Sequence, residues 1–304
     1  MLKGVFSVLP TPFLPDQSVD VDGLKKIIDL YLRGGITGLT ASGVTSETPR
    51  LGERDRLLVL ETVMNHVNGK VPVVITTSTE GLQSCLDLTK TAREMGAAAV
   101  MISPPRLPKL NSIAVLDHFR AVAGAVDISI IVQDYPPASG FIMEPALLAR
   151  IAKEVPSVKG IKLEDPPTPL KISRVLEQLE GRPIEIVGGL GGTYLFEELM
   201  AGGVGAMTGF AIPEILVKVV RLFHEGKKDD AADFFYRTVA LMRFEFQEGI
   251  GVAIRKEMIR SRGVPISSAT RAPGARMDDS TLRALDSLIR WTQSTLKEIK
   301  WTLD

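Results

Sequence analysis

The sequence predicts a closed (β/α)8 barrel with a C-terminal helical extension. Short apolar runs rich in β-branched residues recur at intervals of roughly 30 residues, and each is followed by an amphipathic stretch of helical length. Gly, Pro or Asp residues separate these stretches. Because the alternation occurs eight times, parallel strands that close into a barrel are favoured.

The strand and helix candidates alternate along the first three quarters of the chain. The strand candidates are Val5–Leu9, Gly38–Ser42, Val71–Thr76, Ala98–Ile102, Ile128–Val132, Gly160–Glu164, Ile184–Val187 and Val204–Thr208. The helix candidates are Val21–Arg33, Glu53–Val67, Leu82–Met95, Ile113–Ala125, Pro145–Val155, Pro169–Leu179, Tyr194–Ala201 and Pro213–His224. An open doubly wound sheet is the structural rival, but its usual Gly-rich turn after the first strand is replaced by Pro10-Thr11-Pro12.

The chain changes character after the eighth helix candidate. Residues 1–226 are predicted to form the barrel, and residues 227–304 a helical region packed on it, because strand signals end and long amphipathic patterns begin. Within the second part, Arg262–Arg276 is rich in Pro, Ser, Ala and Gly and predicts an extended connection.

The amino-acid composition limits the kinds of partner that we expect this protein to bind. Lys and Arg number 36 and Asp and Glu number 36, so the formal net charge is zero, without the basic excess of a nucleic-acid or anionic-membrane binder. The opening MLKGVFSVLPTPF lacks the features of a secretory signal, and no apolar run has the length of a membrane span. We expect a cytoplasmic protein that binds a small molecule, with neither a nucleic acid nor a membrane as partner.

Neither a disulfide nor a metal site is predicted. Cys85 is the only cysteine and lies in a helix candidate, which fits a reducing compartment. His66, His118 and His224 are scattered without the close spacing typical of metal ligands, and each is expected on an ordinary helix. We expect no metal and no organic cofactor.

Polar residues that end the strands are the candidates for chemistry, because barrels carry their active sites at the carboxyl ends of the strands. Three segments qualify. They are Gly43–Glu47 after the second strand, Gln133–Pro136 after the fifth, and Lys162–Asp165 on and after the sixth.

Lys162 stands between Ile161 and Leu163 in a strand expected to be covered on both faces. Burial disfavours the ammonium form of a lysine, and the neutral amine is a nucleophile toward ketones. Glu164 is two residues further on and therefore on the same face, where a carboxylate could move protons next to an imine. The alternatives are a lysine that reaches solvent and a structural Lys162–Glu164 ion pair.

Two other loops suggest anion binding. Thr45 and the amides around Val44 and Ser46 offer closely spaced donors for a carboxylate, although such a turn is often only a turn. The glycine-rich loop after the seventh strand, which begins with Gly188 and Gly189, lies where barrels often bind phosphate, but it contains neither Lys nor Arg. Close approach of the backbone to the reacting centre is the preferred interpretation.

Together these segments resemble the dihydrodipicolinate synthase/N-acetylneuraminate lyase family of Schiff-base class I aldolases and dehydratases. The resemblance extends from Gly4 to about Arg260 and rests on five motifs. They are Gly4–Phe13, the G-x-T-x-E pattern of Gly43–Glu47, Ser103-Pro104-Pro105, Gly140 and Gly160-Ile161-Lys162. The resemblance implies that Lys162 forms the imine, that Val44-Thr45 holds the substrate carboxylate, and that the protein is a homotetramer.

The departures from that family bear on the substrate. Val44 stands where typical members have a first hydroxyl residue, Gln133 replaces the usual proton-shuttling tyrosine, and Arg106-Leu107 replaces an aromatic pair. Ala138 aligns with the arginine that holds the second carboxylate in dihydrodipicolinate synthases, so lysine biosynthesis is not expected.

A narrower resemblance is to the L-2-keto-3-deoxyarabonate dehydratase branch of the family. It rests on Gln133-Asp134, on Lys162–Pro169 and on Gly188–Gly192. It implies a hydro-lyase that dehydrates a 2-keto-3-deoxy sugar acid to a 2-oxo-acid semialdehyde, with Glu164 handling the elimination in place of the missing tyrosine.

In this reading Thr45 and nearby amides bind the substrate carboxylate, Lys162 attacks carbon 2, and Gln133 orients the exchanging water. Ser103 and Thr208 line the site. Three alternatives remain: a pyruvate-releasing aldolase, a phosphate-dependent barrel, and a non-catalytic 2-oxo-acid-binding protein. The chain length and stereochemistry of the substrate are left open, and the expected specificity contacts are Arg106, Tyr135 and Ser139.

Overall fold

The structure is a computed structural model that describes residues 1–302, and its eight parallel strands form a closed barrel in chain order. The last strand pairs with the first, with Gly4 opposite Gly205. The strands are β1 (Gly4–Val8), β2 (Gly38–Ala41), β3 (Val73–Thr76), β4 (Ala99–Ile102), β5 (Ile130–Asp134), β6 (Val158–Leu163), β7 (Glu185–Gly188) and β8 (Gly205–Thr208). The predicted barrel is confirmed.

Helices surround the barrel and extend beyond it. They are α1 (Val21–Arg33), α2 (Glu53–Val67), α3 (Leu82–Glu94), α4 (Ser112–Ala125), α5 (Pro136–Ser139), α6 (Pro145–Glu154), α7 (Thr168–Gln178), α8 (Leu195–Met200), α9 (Pro213–His224), α10 (Lys228–Glu245), α11 (Gly251–Ser261) and α12 (Asp279–Thr295). Side-chain caps begin three of them: Asp20 accepts a hydrogen bond from the Gly23 amide before α1, Asn111 accepts from the amides of Ile113 and Ala114 before α4, and Asp278 accepts from the Thr281 amide before α12. The short α5 was not predicted.

The lower part of the barrel interior is filled by apolar side chains. This inner cluster consists of Leu2, Phe6, Val8, Val74, Ala99, Met101, Ile131, Val187 and Met207. A second, larger cluster fills the space between the strands and the surrounding helices. Polar side chains are therefore left to the carboxyl-terminal mouth of the barrel, which is where barrels of this kind carry their sites.

The fifth strand is longer than predicted. Gln133 and Asp134 were expected to follow it, but β5 includes both and pairs them with Lys162 and Leu163 of β6. Polar residues can occupy this strand end because each has a partner: Asp134 faces outward, where the amine of Lys171 lies 2.7 Å from its carboxylate. In contrast, β6 ends at Leu163, so the residue after it is outside the regular strand.

The segment between α11 and α12 contains no helix or strand, as predicted, and crosses back to the barrel mouth. The Arg271 amide donates a hydrogen bond to Glu47 Oε2 at 2.9 Å. Lys256 of α11 forms a fully buried ion pair with the same carboxylate. The C-terminal region is thus fastened to the loop after β2, while the division of the chain at residue 226 stays a prediction.

The cysteine and the three histidines considered as disulfide or metal-ligand candidates all lie on helices. Cys85 is buried in α3, and His66, His118 and His224 lie on α2, α4 and α9. Within residues 1–302, no group of three or more Asp, Glu, His or Cys side chains is arranged to hold a metal ion. None of the helices described has the length and apolar character needed to cross a membrane.

Candidate active site

The barrel mouth contains an amine and a carboxylate in direct contact. Lys162 Nζ lies 3.0 Å from Glu164 Oε2, and the two side chains are 7 % and 9 % exposed. The two residues are separated by one position in the sequence, and their side chains meet at the mouth of the barrel. Both are shielded from bulk water, which strengthens any charge interaction between them.

Gln133 holds the carboxylate from the neighbouring strand. Its Nε2 donates to Glu164 Oε2 at 2.8 Å, while its Oε1 accepts from Ser103 Oγ at 3.3 Å. Ser103 is in turn held by Ser78, whose Oγ lies 3.2 Å from the Ser103 hydroxyl and accepts from the Ser103 amide at 2.9 Å. Ser78 was not identified from the sequence, because a lone serine after a strand carries no distinguishing signal.

The loop after β7 shapes the other side of Glu164. A Cβ on Gly189 would lie 2.2 Å from Glu164 Oε1, so only glycine leaves room for this carboxylate. The Leu190 amide points at the same oxygen from 3.4 Å. The amide of Gly191 donates to Thr208 Oγ1 at 2.9 Å and that of Gly192 to the Gly189 carbonyl, so these donors are already used and do not favour a phosphate site.

The absence of a side chain at Gly188 makes room for a different carboxyl group, that of Glu198. A Cβ there would lie 1.6 Å from Glu198 Oε2, a fully buried carboxyl group on α8. Thr168 Oγ1 donates to the other oxygen of Glu198 at 2.6 Å. Burial raises the pKa of Glu198 to about 8, so this group is largely protonated at neutral pH. The predicted substrate contact at Gly188 is not favoured, because the position faces Glu198.

Val44, Thr45 and Ser46 in the loop after β2 differ in their exposure and in their hydrogen bonds. Thr45 Oγ1 is buried and has no hydrogen-bond partner within residues 1–302, and Val44 is 43 % exposed. The Ser46 hydroxyl instead donates to the Leu9 carbonyl and accepts from the Gly43 amide. This geometry favours a structural task for Ser46 over the predicted substrate contact.

Two connected cavities occupy the barrel mouth. The inner chamber measures about 40 Å³ and is lined by Lys162, Glu164, Thr45 and Thr208, together with Tyr135 and others. The outer chamber measures about 210 Å³ and shares Val44 and Gln133 with it. Seven hydroxyl-bearing residues line the outer chamber, namely Ser42, Thr48, Thr76, Ser78, Thr79, Ser103 and Ser139, and two arginines do so as well, Arg56 and Arg106.

The fold and this arrangement define a class of protein: a (β/α)8 barrel with a buried amine and carboxylate at its catalytic end. A profile of the Dihydrodipicolinate synthetase family matches residues 1–291. The chain belongs to this family, whose members are lyases, and the resemblance predicted from its motifs is confirmed.

Individual relatives carry different activities in their names. The chain is 32 % identical over 304 residues to the L-2-keto-3-deoxyarabonate dehydratase of Azospirillum brasilense, and the match covers 95 % of this chain and 96 % of that protein. It is 28 % identical over 290 residues to the 4-hydroxy-tetrahydrodipicolinate synthase of Methanococcus vannielii, covering 95 % and 98 %.

Solved structures agree on the fold. The crystal structure of dihydrodipicolinate synthase from Rhodopseudomonas palustris superimposes with a TM-score of 0.89 at 33 % identity, covering 95 % of this chain and 97 % of that chain. A prophage protein of the dihydrodipicolinic acid synthase family from E. coli K12, solved in complex with pyruvate, gives a TM-score of 0.90 at 23 % identity, covering 96 % and 99 %.

Proposed function

We propose that this protein is a hydro-lyase that forms a Schiff base on Lys162 and dehydrates a 2-keto-3-deoxy sugar acid resembling L-2-keto-3-deoxyarabonate. The observation that carries the proposal is the 3.0 Å contact of the Lys162 amine with Glu164, two buried side chains that line the inner chamber. The similarity to a dehydratase of that substrate over almost the whole chain supports the same activity.

The first step is formation of the imine. The Lys162 amine attacks carbon 2 of the substrate, and the carbonyl oxygen leaves as water. Glu164 is placed to accept a proton from the attacking nitrogen, because its Oε2 is within hydrogen-bonding distance of Nζ. Gln133 orients the water that is exchanged, since its amide is fixed between Glu164 and Ser103.

The second step is the elimination. The protonated imine withdraws electrons from carbon 3, and the Glu164 carboxylate removes a proton there to leave an enamine. The enamine expels the hydroxyl group of carbon 4, which takes the proton from Glu164 and leaves as water. Transfer of a proton from carbon 5 to carbon 3 leaves an enol between carbons 4 and 5, and movement of the enol hydroxyl proton to carbon 4 forms the aldehyde. Hydrolysis of the imine then releases the 2-oxo-acid semialdehyde and restores Lys162.

Glu164 is the proposed acid and base because Gln133 cannot take either role. A carboxamide is neither an acid nor a base near neutral pH, and Gln133 stands where a tyrosine is usual in this family. Gln133 instead donates to Glu164 and so fixes the direction in which the carboxylate can act.

The two chambers suggest how the substrate lies. The inner chamber at about 40 Å³ accommodates the reacting carbons beside Lys162, and the outer chamber at about 210 Å³ accommodates the hydroxylated remainder. Its many hydroxyl groups suit the hydroxyl-bearing end of a sugar acid, since each can both donate and accept a hydrogen bond. Arg106 and Ser139 line this part and are the proposed specificity contacts.

Product analysis tests the activity. Incubation with L-2-keto-3-deoxyarabonate should yield a 2-oxo-acid semialdehyde and no pyruvate. Pyruvate with a two-carbon aldehyde would identify an aldolase that breaks the bond between carbons 3 and 4. Binding without turnover would identify a 2-oxo-acid-binding protein.

A variant tests the role of Glu164. Glu164→Gln should lower kcat by about 10²- to 10⁴-fold, the range typical of general acid–base groups, while borohydride still traps substrate on Lys162. The matched control is Glu177→Gln on the exposed face of α7, which should keep the wild-type rate. A rate close to wild type in Glu164→Gln would refute the assignment.

The tetramer and the cytoplasmic location stay predictions.

A further inference from the structure

Arg255 is a buried arginine of α11 that lines the inner chamber and was not identified from the sequence. Its side chain is only 3 % exposed. Burying a guanidinium is costly unless its charge and its N–H donors are matched by partners. The partners of each donor therefore indicate what the residue is for.

One side of the guanidinium is fully matched. Nε donates to Glu245 Oε1 at 2.6 Å, and the other oxygen of Glu245 accepts from the Ala211 amide at 2.8 Å. The carboxylate is thus anchored at both oxygens and fixes the orientation of the arginine. Such a pair satisfies the charge but uses only part of the guanidinium.

The opposite side is not matched. Arg255 Nη1 is buried and has no hydrogen-bond partner within residues 1–302. This atom lies over Gly209, where a Cβ would come within 1.9 Å of it, so the absence of a side chain at Gly209 makes room for the guanidinium. A buried donor without a partner costs about 1–3 kcal/mol, and an anion bound in the chamber next to this donor would remove that cost.

A second unmatched donor faces the same chamber. Thr45 Oγ1 is also buried and without a partner in the described chain, and both residues line the cavity that holds Lys162. The strand order places them on one side: Gly209 follows β8, Thr45 follows β2, and β1 lies between these two strands. An anion bound next to Lys162 on this side can reach both donors.

We propose that Arg255 and Thr45 together bind the carboxylate of the 2-keto acid, a role that rests on the proposed Schiff-base function of Lys162. Arg255 supplies the donor that Val44 lacks in the loop after β2. Because its charge is already matched by Glu245, what Arg255 offers is the free Nη1 donor of a charged group, which hydrogen-bonds a carboxylate more strongly than a neutral hydroxyl group does. The substrate is thereby required to carry an anionic group next to its ketone.

The test compares two ketones of similar size that differ in charge. Pyruvate has the carboxylate and hydroxyacetone does not, and borohydride fixes either one on Lys162. In Arg255→Met, the pyruvate concentration needed for half-maximal trapping should rise on the order of 10- to 100-fold, as expected for loss of a hydrogen bond to a charged group. The concentration for hydroxyacetone should stay the same.

Two further variants keep the test decisive. Arg255→Lys retains the charge and should give a smaller rise in the pyruvate concentration needed for half-maximal trapping. This variant provides the test if Arg255→Met does not fold. The matched control is Arg262→Lys, because Arg262 is equally buried and ion-paired, with Glu214, but does not line the chamber. It should leave both ketones unaffected.

The outcomes separate the two proposals. If wild-type protein traps neither ketone, the Schiff-base function itself fails. If wild type traps both and the Arg255 variants leave pyruvate unchanged, or weaken both ketones equally, carboxylate binding by Arg255 is refuted. A loss confined to pyruvate supports it.

Discussion

Replacing Gly189 with alanine tests whether the position of Glu164 controls the reaction. The added Cβ would lie 2.2 Å from Glu164 Oε1, 2.4 Å from its Cγ and 2.5 Å from its Cδ. Three atoms of one side chain are too close, so rotation of the carboxylate alone cannot relieve the contact. The whole group has to retreat across the chamber.

The size of the effect follows from these distances. Ordinary contacts between such atoms begin near 3.5 Å, so Glu164 has to move by about 1 Å. A displacement of about 1 Å between reacting groups can lower a rate on the order of 10²-fold. Overpacking of this kind costs about 1–3 kcal/mol of stability, which leaves the barrel folded. We therefore expect kcat of Gly189→Ala to fall on the order of 10²-fold.

The assay follows semialdehyde formation in the variant and in a control, Gly124→Ala. Gly124 lies in α4, where an added Cβ would have no side chain and no other segment of the chain within 4 Å beyond its immediate neighbours, so this change adds the same methyl group without a clash. The control should keep the wild-type rate. Gly189→Ala should still form the borohydride-trapped adduct on Lys162, since the amine is not displaced directly. A folded Gly189→Ala protein with kcat within about twofold of wild type would refute the reasoning.

Three predictions concern stability. Burial raises the pKa of Glu198 to about 8 from an ordinary value of 4.5. Between these two pH values the folded state holds a proton that the unfolded state releases. The free energy of unfolding is therefore not reduced by this group below pH 4.5, and it falls as the pH rises toward 8. Glu198→Gln should abolish this loss, on the order of a few kcal/mol, in Tm measurements at pH 5 and pH 8; an unchanged pH dependence would contradict the assignment. Lys256→Met should lower the free energy of unfolding in urea by at most about 3–5 kcal/mol, because Glu47 loses its fully buried cation and keeps only the partly exposed Arg50 at 3.0 Å. Adding Glu47→Gln should recover part of this loss, and a loss under about 1 kcal/mol would show that the pair is dispensable. Ser46→Ala should cost about 1–3 kcal/mol in the same assay by leaving buried backbone groups unpaired, with KM for the substrate nearly unchanged; a large rise in KM would restore its predicted substrate contact.

The barrel could be predicted because its signals are local. Each buried strand is a short apolar run and each helix has its own periodicity, so both can be recognised without knowing their neighbours. The limits of β5 were less clear, because Gln133 and Asp134 are polar and look like the start of a loop. They belong to the strand because Glu164 and Lys171, distant in sequence, provide their partners.

The pair of Lys162 and Glu164 was predictable for the same reason. Although β6 ends at Leu163, the Glu164 amide still donates to the Asp134 carbonyl of β5 at 2.9 Å, so the alternation of the strand extends to Glu164 and places both side chains on one face. Arg255 was not, because its proposed role depends on its contact with Gly209, 46 residues earlier in the chain, which no local pattern encodes. The ion pair of Glu47 with Lys256 joins residues 209 positions apart and lies beyond local patterns as well.

The central claim is that the Lys162 amine captures a ketone. Wild-type protein should be incubated with pyruvate, reduced with borohydride, digested and examined by mass spectrometry. A single modified peptide that contains Lys162 is the predicted result. Folded protein that stays unmodified, or that is modified instead at another buried amine such as Lys171, would contradict it.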